Sequence, residues 1–357
     1  MRRYPVGVAR LSTKRHRRAA VPLLVVAVAL TGCVAEPMPT PSASPSASVV
    51  PAYVDTYVEP EPTQLAPLRG TTVAAGSVSG PALSAKVDNH PNARPQFGLE
   101  HTDIVYEELV EGGMTRYVAI WQSTVPDLIG PVRSIRPMDP DIISPYRGIV
   151  AYSGGQYRFV VLMQQTPVVN AIHGQNNTRD TFYRVRGRPG PHDVLVRAPQ
   201  VVSDFGPLDA PQQNWAFAAT ADASSAAREG VAASIIHYRF SGLMWGTWTY
   251  SAETERYYRA QANRGPDLDT SGNQLTASNV VVLRVDITHA TGVPQTILNT
   301  TGEAWVFSGG HVIHGSFSKA SQNEPIYLYD DNGFTIRLAA GNTWVELIPH
   351  AGSISFE

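Results

Sequence analysis

Hydrophobic and polar positions alternate with a period of two from Ala82 onward, where Leu83, Ala85 and Val87 interleave with Ser84, Lys86 and Asp88, and the folded structure is expected to begin there as a strand. Residues 103–110 and 114–122 are two further β-rich runs. They flank Gly112-Gly113, which predicts a hairpin with a two-residue, positive-φ turn. A loop punctuated by Pro and Gly follows at 129–137, then a short helix from Asp139 to about Arg147. Next come a buried strand over 148–152 and a helix over 156–165 after Gly154-Gly155, an order that predicts an α/β arrangement. Beyond Pro211 the pattern becomes aromatic and β-branched runs at 235–240, 245–250, 280–286, 304–307, 312–317, 326–329, 334–338 and 344–348. Ser308-Gly309-Gly310 and Asp331-Asn332-Gly333 have hairpin-turn composition. The expected fold is α+β or α/β, with a mixed α/β domain over 81–210 packed as one unit against a mainly antiparallel β domain over 211–357.

Ahead of this lies a stretch without any sustained period. Residues 34–80 are rich in Pro, Ser, Ala, Thr and Val, as in Pro39-Thr40-Pro41-Ser42-Ala43-Ser44-Pro45-Ser46, and are expected to form a disordered tether. Residues 1–33 carry Arg2, Arg3, Arg10, Lys14, Arg15, Arg17 and Arg18, then an apolar run from Ala19 to Leu30 that is too short to span a bilayer. They end in Leu30-Thr31-Gly32-Cys33, and Cys33 is the only cysteine of the chain. This is the form of a lipoprotein signal with its lipobox. Small residues would let a peptidase reach Cys33, whose thiol would carry a diacylglyceryl group and anchor the protein to the membrane on its extracytoplasmic face.

Cleavage there changes the charge. It removes seven of the 28 Lys and Arg and no acid, so the mature chain has 21 basic against 30 acidic side chains, a net charge of about −9 with His neutral. Nucleic acid is excluded as a partner, because its binding needs clustered positive charge to release counterions. With no second cysteine for a disulfide, the fold must hold by burial, which a chain that is 43% hydrophobic can supply.

The polar residues concentrate in one block. It runs through Val87-Asp88-Asn89-His90-Pro91-Asn92-Ala93-Arg94-Pro95-Gln96, Glu107-Glu108-Leu109-Val110-Glu111-Gly112-Gly113-Met114-Thr115-Arg116 and Gly130-Pro131-Val132-Arg133-Ser134-Ile135-Arg136-Pro137. The block resembles the YerB-like lipoproteins, a family classified as a domain of unknown function. Thr343-Trp344-Val345-Glu346-Leu347-Ile348-Pro349 is similar to that family's C-terminal part, so the resemblance covers roughly residues 80–350. It implies a two-part, membrane-tethered envelope protein and brings no established reaction. One departure is His192-Asp193, where the family pattern leads to His-Asn.

Read physically, a two-residue turn at Gly112-Gly113 sets Glu107 opposite Val118 and Glu111 opposite Met114, with Arg116 diagonal to both carboxylates. Such a hairpin is either an ion-pair network or half of a catalytic site in which Glu107 and Glu111 divide acid and base roles beside Arg116. Arg94, Arg133 and Arg136 project from stiff loops and would clamp a phosphate or carboxylate, or else pair with acids such as Asp88 or Asp103. Asp88, Asn89 and His192 complete the candidate ligand-binding set. Ser153-Gly154-Gly155 ahead of a helix is a generic anion site without a nucleotide fingerprint. His90, His101, His173 and His192 show no ligand spacing, so no metal is expected, and no motif calls for a cofactor. Gly-x-Ser-x-Gly is absent. Two functions stay open: a binding or scaffolding module for an envelope component such as a wall polymer or protein, and a wall-acting hydrolase or transferase using the Glu/Arg cluster.

Overall fold

The run Thr115–Trp121, Thr-Arg-Tyr-Val-Ala-Ile-Trp, is buried at every position. Its β-branched and aromatic side chains alternate between two faces, so full burial requires both faces of its sheet to be covered. They are. In the computed structural model, which describes residues 57–261 and 264–357, this strand lies within a sheet of twelve strands with a separate apolar cluster on each side. One face packs Tyr106, Val118, Ile120 and Val150 with Ile142, Phe159 and Met163 of the helices. The other packs Val87, Val105, Tyr117 and Ala119 with Tyr238, Trp248 and Tyr257 of a second, five-stranded sheet.

The order across the large sheet begins Val231–Ala232, His311–Ser318, Thr301–Ser308, Asn279–Thr288, Thr343–Pro349. It continues Ile104–Leu109, Thr115–Trp121, Leu83–Asp88, Ile149–Tyr152, Val169–Ile172. The seam between early and late residues is a parallel pairing of Thr343–Pro349 with Ile104–Leu109. Residues on either side of 210 therefore share one hydrogen-bonded ladder, and Glu59–Glu357 form one compact unit. Among the described residues, twenty-four strands stand against four α-helices of at most eight residues. The molecule is mostly β. The α/β expectation for 81–210 survives only locally, where Ile149–Tyr152, the helix Tyr157–Gln164 and Val169–Ile172 make a parallel βαβ unit.

Three expectations are corrected. Structure begins before Ala82, because Thr63–Leu65 and Thr72–Ala74 pair as a hairpin and Ala66 and Leu68 are buried. The tether expected over 34–80 thus ends earlier; its residues 34–56, and Cys33 with the rest of the signal segment, lie outside the described residues. The Gly112-Gly113 hairpin closes through three residues, Glu111-Gly112-Gly113, with φ of 69° and 71° at the glycines. Leu109 then faces Thr115 and Glu108 faces Arg116. A strand expected over 334–338 is absent, and the pairing element there is Leu338–Ala339. The turn at Gly309-Gly310 does form, with Ser308 opposite His311.

Candidate functional site

A register shift of one residue sends every side chain to the other face of a strand. With Glu108 opposite Arg116, where a two-residue turn would have set Leu109, the row Glu108, Arg116, Asp88 crosses three strands on the helix-covered face. Glu107 points to the other side. The sequence-predicted residues therefore fall into two groups, back to back across the sheet.

On the far side from the helices, Glu107 is buried against Arg259, and Arg259 also reaches Asp267. Asn89 donates its Nδ2 to Glu107 Oε1 at 3.0 Å and to Thr115 Oγ1 at 2.8 Å. Arg94 donates to the backbone oxygen of Asn89 at 2.9 Å, to its Oδ1 at 2.8 Å, and to Gln261. Glu346 lies in the same network with Trp248 Nε1 donating to its Oε1 at 2.9 Å. Burial first, then the charge of Glu107, pushes the Glu346 carboxyl well above the ordinary range. This group ties the early part of the chain to the late part. Sequence reasoning missed Arg259, Asp267, Gln261 and Glu346. The available signal was the parity of Tyr257, Arg259 and Gln261, which puts a charge in line with an inward tyrosine.

On the helix-covered side, Lys86 is buried between Glu108 and Asp139, with its Nζ 2.7 Å from Asp139 Oδ1. Burial lowers its pKa to about 8. Toward the surface, Arg136 grips Glu111 with two bonds of 2.8 Å, Nε to Oε2 and Nη2 to Oε1. Burial opposes the Glu111 charge, but the bond to Arg136 outweighs it and holds the carboxyl below its usual range. Asp88 Oδ2 accepts from His192 Nδ1 at 2.6 Å and lies 3.4 Å from Arg133 Nε, while its Oδ1 accepts the His90 N–H at 3.0 Å. The His90 and His192 rings stack with centroids 4.2 Å apart. Burial and the neighbouring His192 lower the His90 pKa.

Arg116 is the exception. It is 8% exposed, and its guanidinium meets no carboxylate, donating only to the Ser134 backbone oxygen at 3.0 Å. Burial, then Arg136 and Arg133, lower its pKa to about 10. Counting formal charges, the buried trio of Lys86, Glu108 and Asp139 carries −1. The outer set of Arg116, Arg133, Arg136, Asp88 and Glu111 carries +1, and that positive end faces solvent. Segment 133–136 is threaded into place by backbone bonds, Arg133 N to Lys86 O at 2.7 Å and Ile135 N to Gly154 O at 2.9 Å.

The site sits at the carboxyl ends of the parallel strands Leu83–Asp88 and Ile149–Tyr152, where open α/β sheets place ligands. Among the described residues, no group of three His, Cys, Asp or Glu is placed to hold a metal ion. No helix among them is long and apolar enough to cross a membrane.

The geometry can be set beside known proteins. "Protein of unknown function (DUF3048) N-terminal domain" matches residues 68–209, and the corresponding C-terminal domain matches 236–345. YerB of Bacillus subtilis (strain 168), named as a candidate lipoprotein, is 25% identical over 297 residues, which span 81% of this chain and 88% of that protein. The crystal structure of YerB from Bacillus subtilis matches with a TM-score of 0.70 at 23% identity, over 82% of this chain and 99% of that one. Both halves of the family, in the same order, are accounted for by the shared sheet, and the chain belongs to the DUF3048 family of YerB-like proteins.

Proposed function

We propose that the chain is a lipid-anchored, extracytoplasmic envelope protein whose folded unit binds an anionic envelope component at the outer face of the arginine cluster. The observation that carries the reading is Arg116, a residue only 8% exposed whose guanidinium meets no carboxylate at the positively charged end of the site. A buried arginine in that state is prepared for a ligand's charge, since ion pairs in low dielectric are strong only when their partner is present. Binding is favoured over catalysis by the two glutamates. Glu107 is committed to Arg259 on the opposite face, and Glu111 is held ionised by Arg136, so the pair gives no raised-pKa acid facing a base.

The membrane part of the proposal is supported by the lipobox at Cys33 and by the lipoprotein designation of YerB. Two acyl chains on one cysteine would give stable membrane residence. Replacing Cys33 by Ser should release the protein from the membrane or leave the precursor uncleaved, with unchanged fractionation counting against the anchor. Binding is tested by titrating the Cys33→Ser chain with soluble anionic wall-polymer fragments. Arg116→Gln should weaken binding at least about tenfold while circular dichroism stays unchanged. Equal binding by both proteins, or release of cleaved product that persists through the Arg116 variant, would overturn the reading.

A further inference from the structure

A cavity of about 440 Å³ opens beside the Arg259 network. Pro91, Arg94 and Pro95 form one wall, and the loop 264–272, which follows the strand Arg256–Gln261, forms the other. Both walls are braced. Arg188 donates to the backbone oxygens of Ala93 and, at 2.6 Å, of Pro95. In the loop, Asp269 Oδ1 accepts the N–H groups of Ser271 at 2.8 Å and Asn273 at 2.9 Å, and the Leu275 N–H goes to Asp267 O at 2.8 Å. Walls fixed in advance need little ordering when a ligand arrives.

The floor is buried and charged. Gln261 and Asp267 are 3% and 4% exposed, and both line the cavity. Asp267 commits only Oδ2, which accepts from Arg259 and Gln261, while Oδ1 accepts from no described residue. Across the Gln261 amide stands Arg94. Its bonds all leave from Nη2, to Asn89 and Gln261; Nε is buried without a partner, and Nη1 donates to no described residue. Among the described residues, no carboxylate pairs with its guanidinium. The cavity therefore has a positive and a negative pole joined by one amide, since Gln261 Oε1 accepts from Arg94 and Gln261 Nε2 donates to Asp267. A hydrogen bond, an amide and a second hydrogen bond set the poles at most about 8 Å apart.

Those two poles select the ligand. A simple anion held by Arg94 would sit against the Asp267 carboxylate, and a simple cation would sit against Arg94. A neutral sugar would leave both charges without a counter-charge. A molecule with an ammonium and a carboxylate on one carbon satisfies both, its carboxylate taking charge-assisted bonds from the guanidinium and its ammonium donating to Asp267 Oδ1. Pro91, Pro95, Pro266 and Leu268 give the cavity apolar surface for a side chain. We infer that this cavity binds an α-amino acid by its zwitterionic head, with Arg94 on the carboxylate and Asp267 on the ammonium. The site is separate from the Arg116 cluster and does not depend on the anion-binding reading above.

The test is a calorimetric titration of the full chain carrying Cys33→Ser with each common amino acid, in L and D forms. Any that binds is titrated again as its N-acetyl and its carboxamide derivative. Saturable binding of at least one amino acid, weakened about tenfold or more by each derivative and by both Arg94→Gln and Asp267→Asn, supports the site. The derivatives each remove one pole of the ligand and leave the protein untouched, so they decide the question even where Asp267→Asn loosens the Arg259 network. Urea midpoints of the two variants separate a lost contact from lost folding. Binding of no amino acid overturns the proposal. An N-acetyl derivative that binds as well as its parent overturns it in favour of a carboxylate site, and a carboxamide that does so overturns it in favour of a cation site. Binding that ignores Arg94→Gln also overturns it.

Discussion

Arg259→Met tests the physics of the network that joins the two parts of the chain. Arg259 has no exposed surface and meets two carboxylates, Glu107 and Asp267. Its guanidinium carbon lies 4.6 Å from the Trp344 ring centroid, with Trp248, Tyr117 and Tyr238 at 5.6, 5.5 and 5.7 Å. At an effective dielectric of about 20, each close ion pair attracts by about 4 kcal/mol, and burying three charges gives back several kcal/mol per ion. What remains on removing one partner of such a set is a loss of about 3–5 kcal/mol, because the abandoned carboxylates stay buried. Methionine fills most of the aliphatic volume, so the cavity contribution is small. For the unit Glu59–Glu357, that loss lowers Tm by about 5–8 °C. Urea denaturation followed by tryptophan fluorescence measures the loss, and adding Glu107→Gln, which removes one of the two abandoned carboxylates, should recover part of it. A deficit under about 1 kcal/mol would refute the argument.

Two smaller predictions follow from neighbouring groups. Glu346 is protonated in the folded state far above the pH of about 4.3 at which the unfolded carboxyl ionises, so wild-type stability should fall as pH rises beyond that point; Glu346→Gln, which can keep the Trp248 bond, should flatten the slope and raise the urea midpoint at pH 8, and an unchanged slope would exclude the role. His314 is held protonated chiefly by its bond to Asp331, with Glu303 helping against partial burial, so its ring should titrate above 6.5 by NMR and drop in Asp331→Asn. Its small contribution to stability is complete below the unfolded pKa and lost as pH rises through the folded one.

Much of the strand pattern was legible because a period of two needs only local information. Leu83, Ala85 and Val87 and the run 114–122 announce strands, and Gly309-Gly310 announces its turn. What sequence alone could not tell is which faces are covered. Ser84, Lys86 and Asp88 occupy polar positions that a one-sided strand would turn to water, yet all three are buried under the helices. The site was legible as a composition of Asp, Arg and Gly in stiff loops, but its division was not. That depended on whether Glu111 belongs to the strand or to the loop, and a glycine pair permits either a two- or a three-residue turn. The position of the sheet's seam, with Thr343–Pro349 beside Ile104–Leu109, is a contact of more than 230 residues' separation that no local period encodes.

The same alternation governs how the site can be dissected. Arg116 and Tyr117 are consecutive on one strand, as are Glu107 and Glu108 on its neighbour, and Asp88 and Asn89 are consecutive at the end of the next. One member of each pair faces the arginine cluster and the other faces the Arg259 network. A substitution such as Glu107→Gln therefore acts on the site only by loosening the strand that carries it, and a loss of binding in that variant would say nothing about chemistry. Arg116→Gln acts from the cluster's own side, leaving Glu107, Arg259 and Asp267 paired. If Arg116→Gln abolishes binding while the urea midpoint holds, the defect lies in the ligand contact; if Arg259→Met abolishes it only in proportion to lost stability, the network is the frame and not the site. Opposite outcomes would place the binding chemistry on the other face of the sheet, with Arg94 and Gln261.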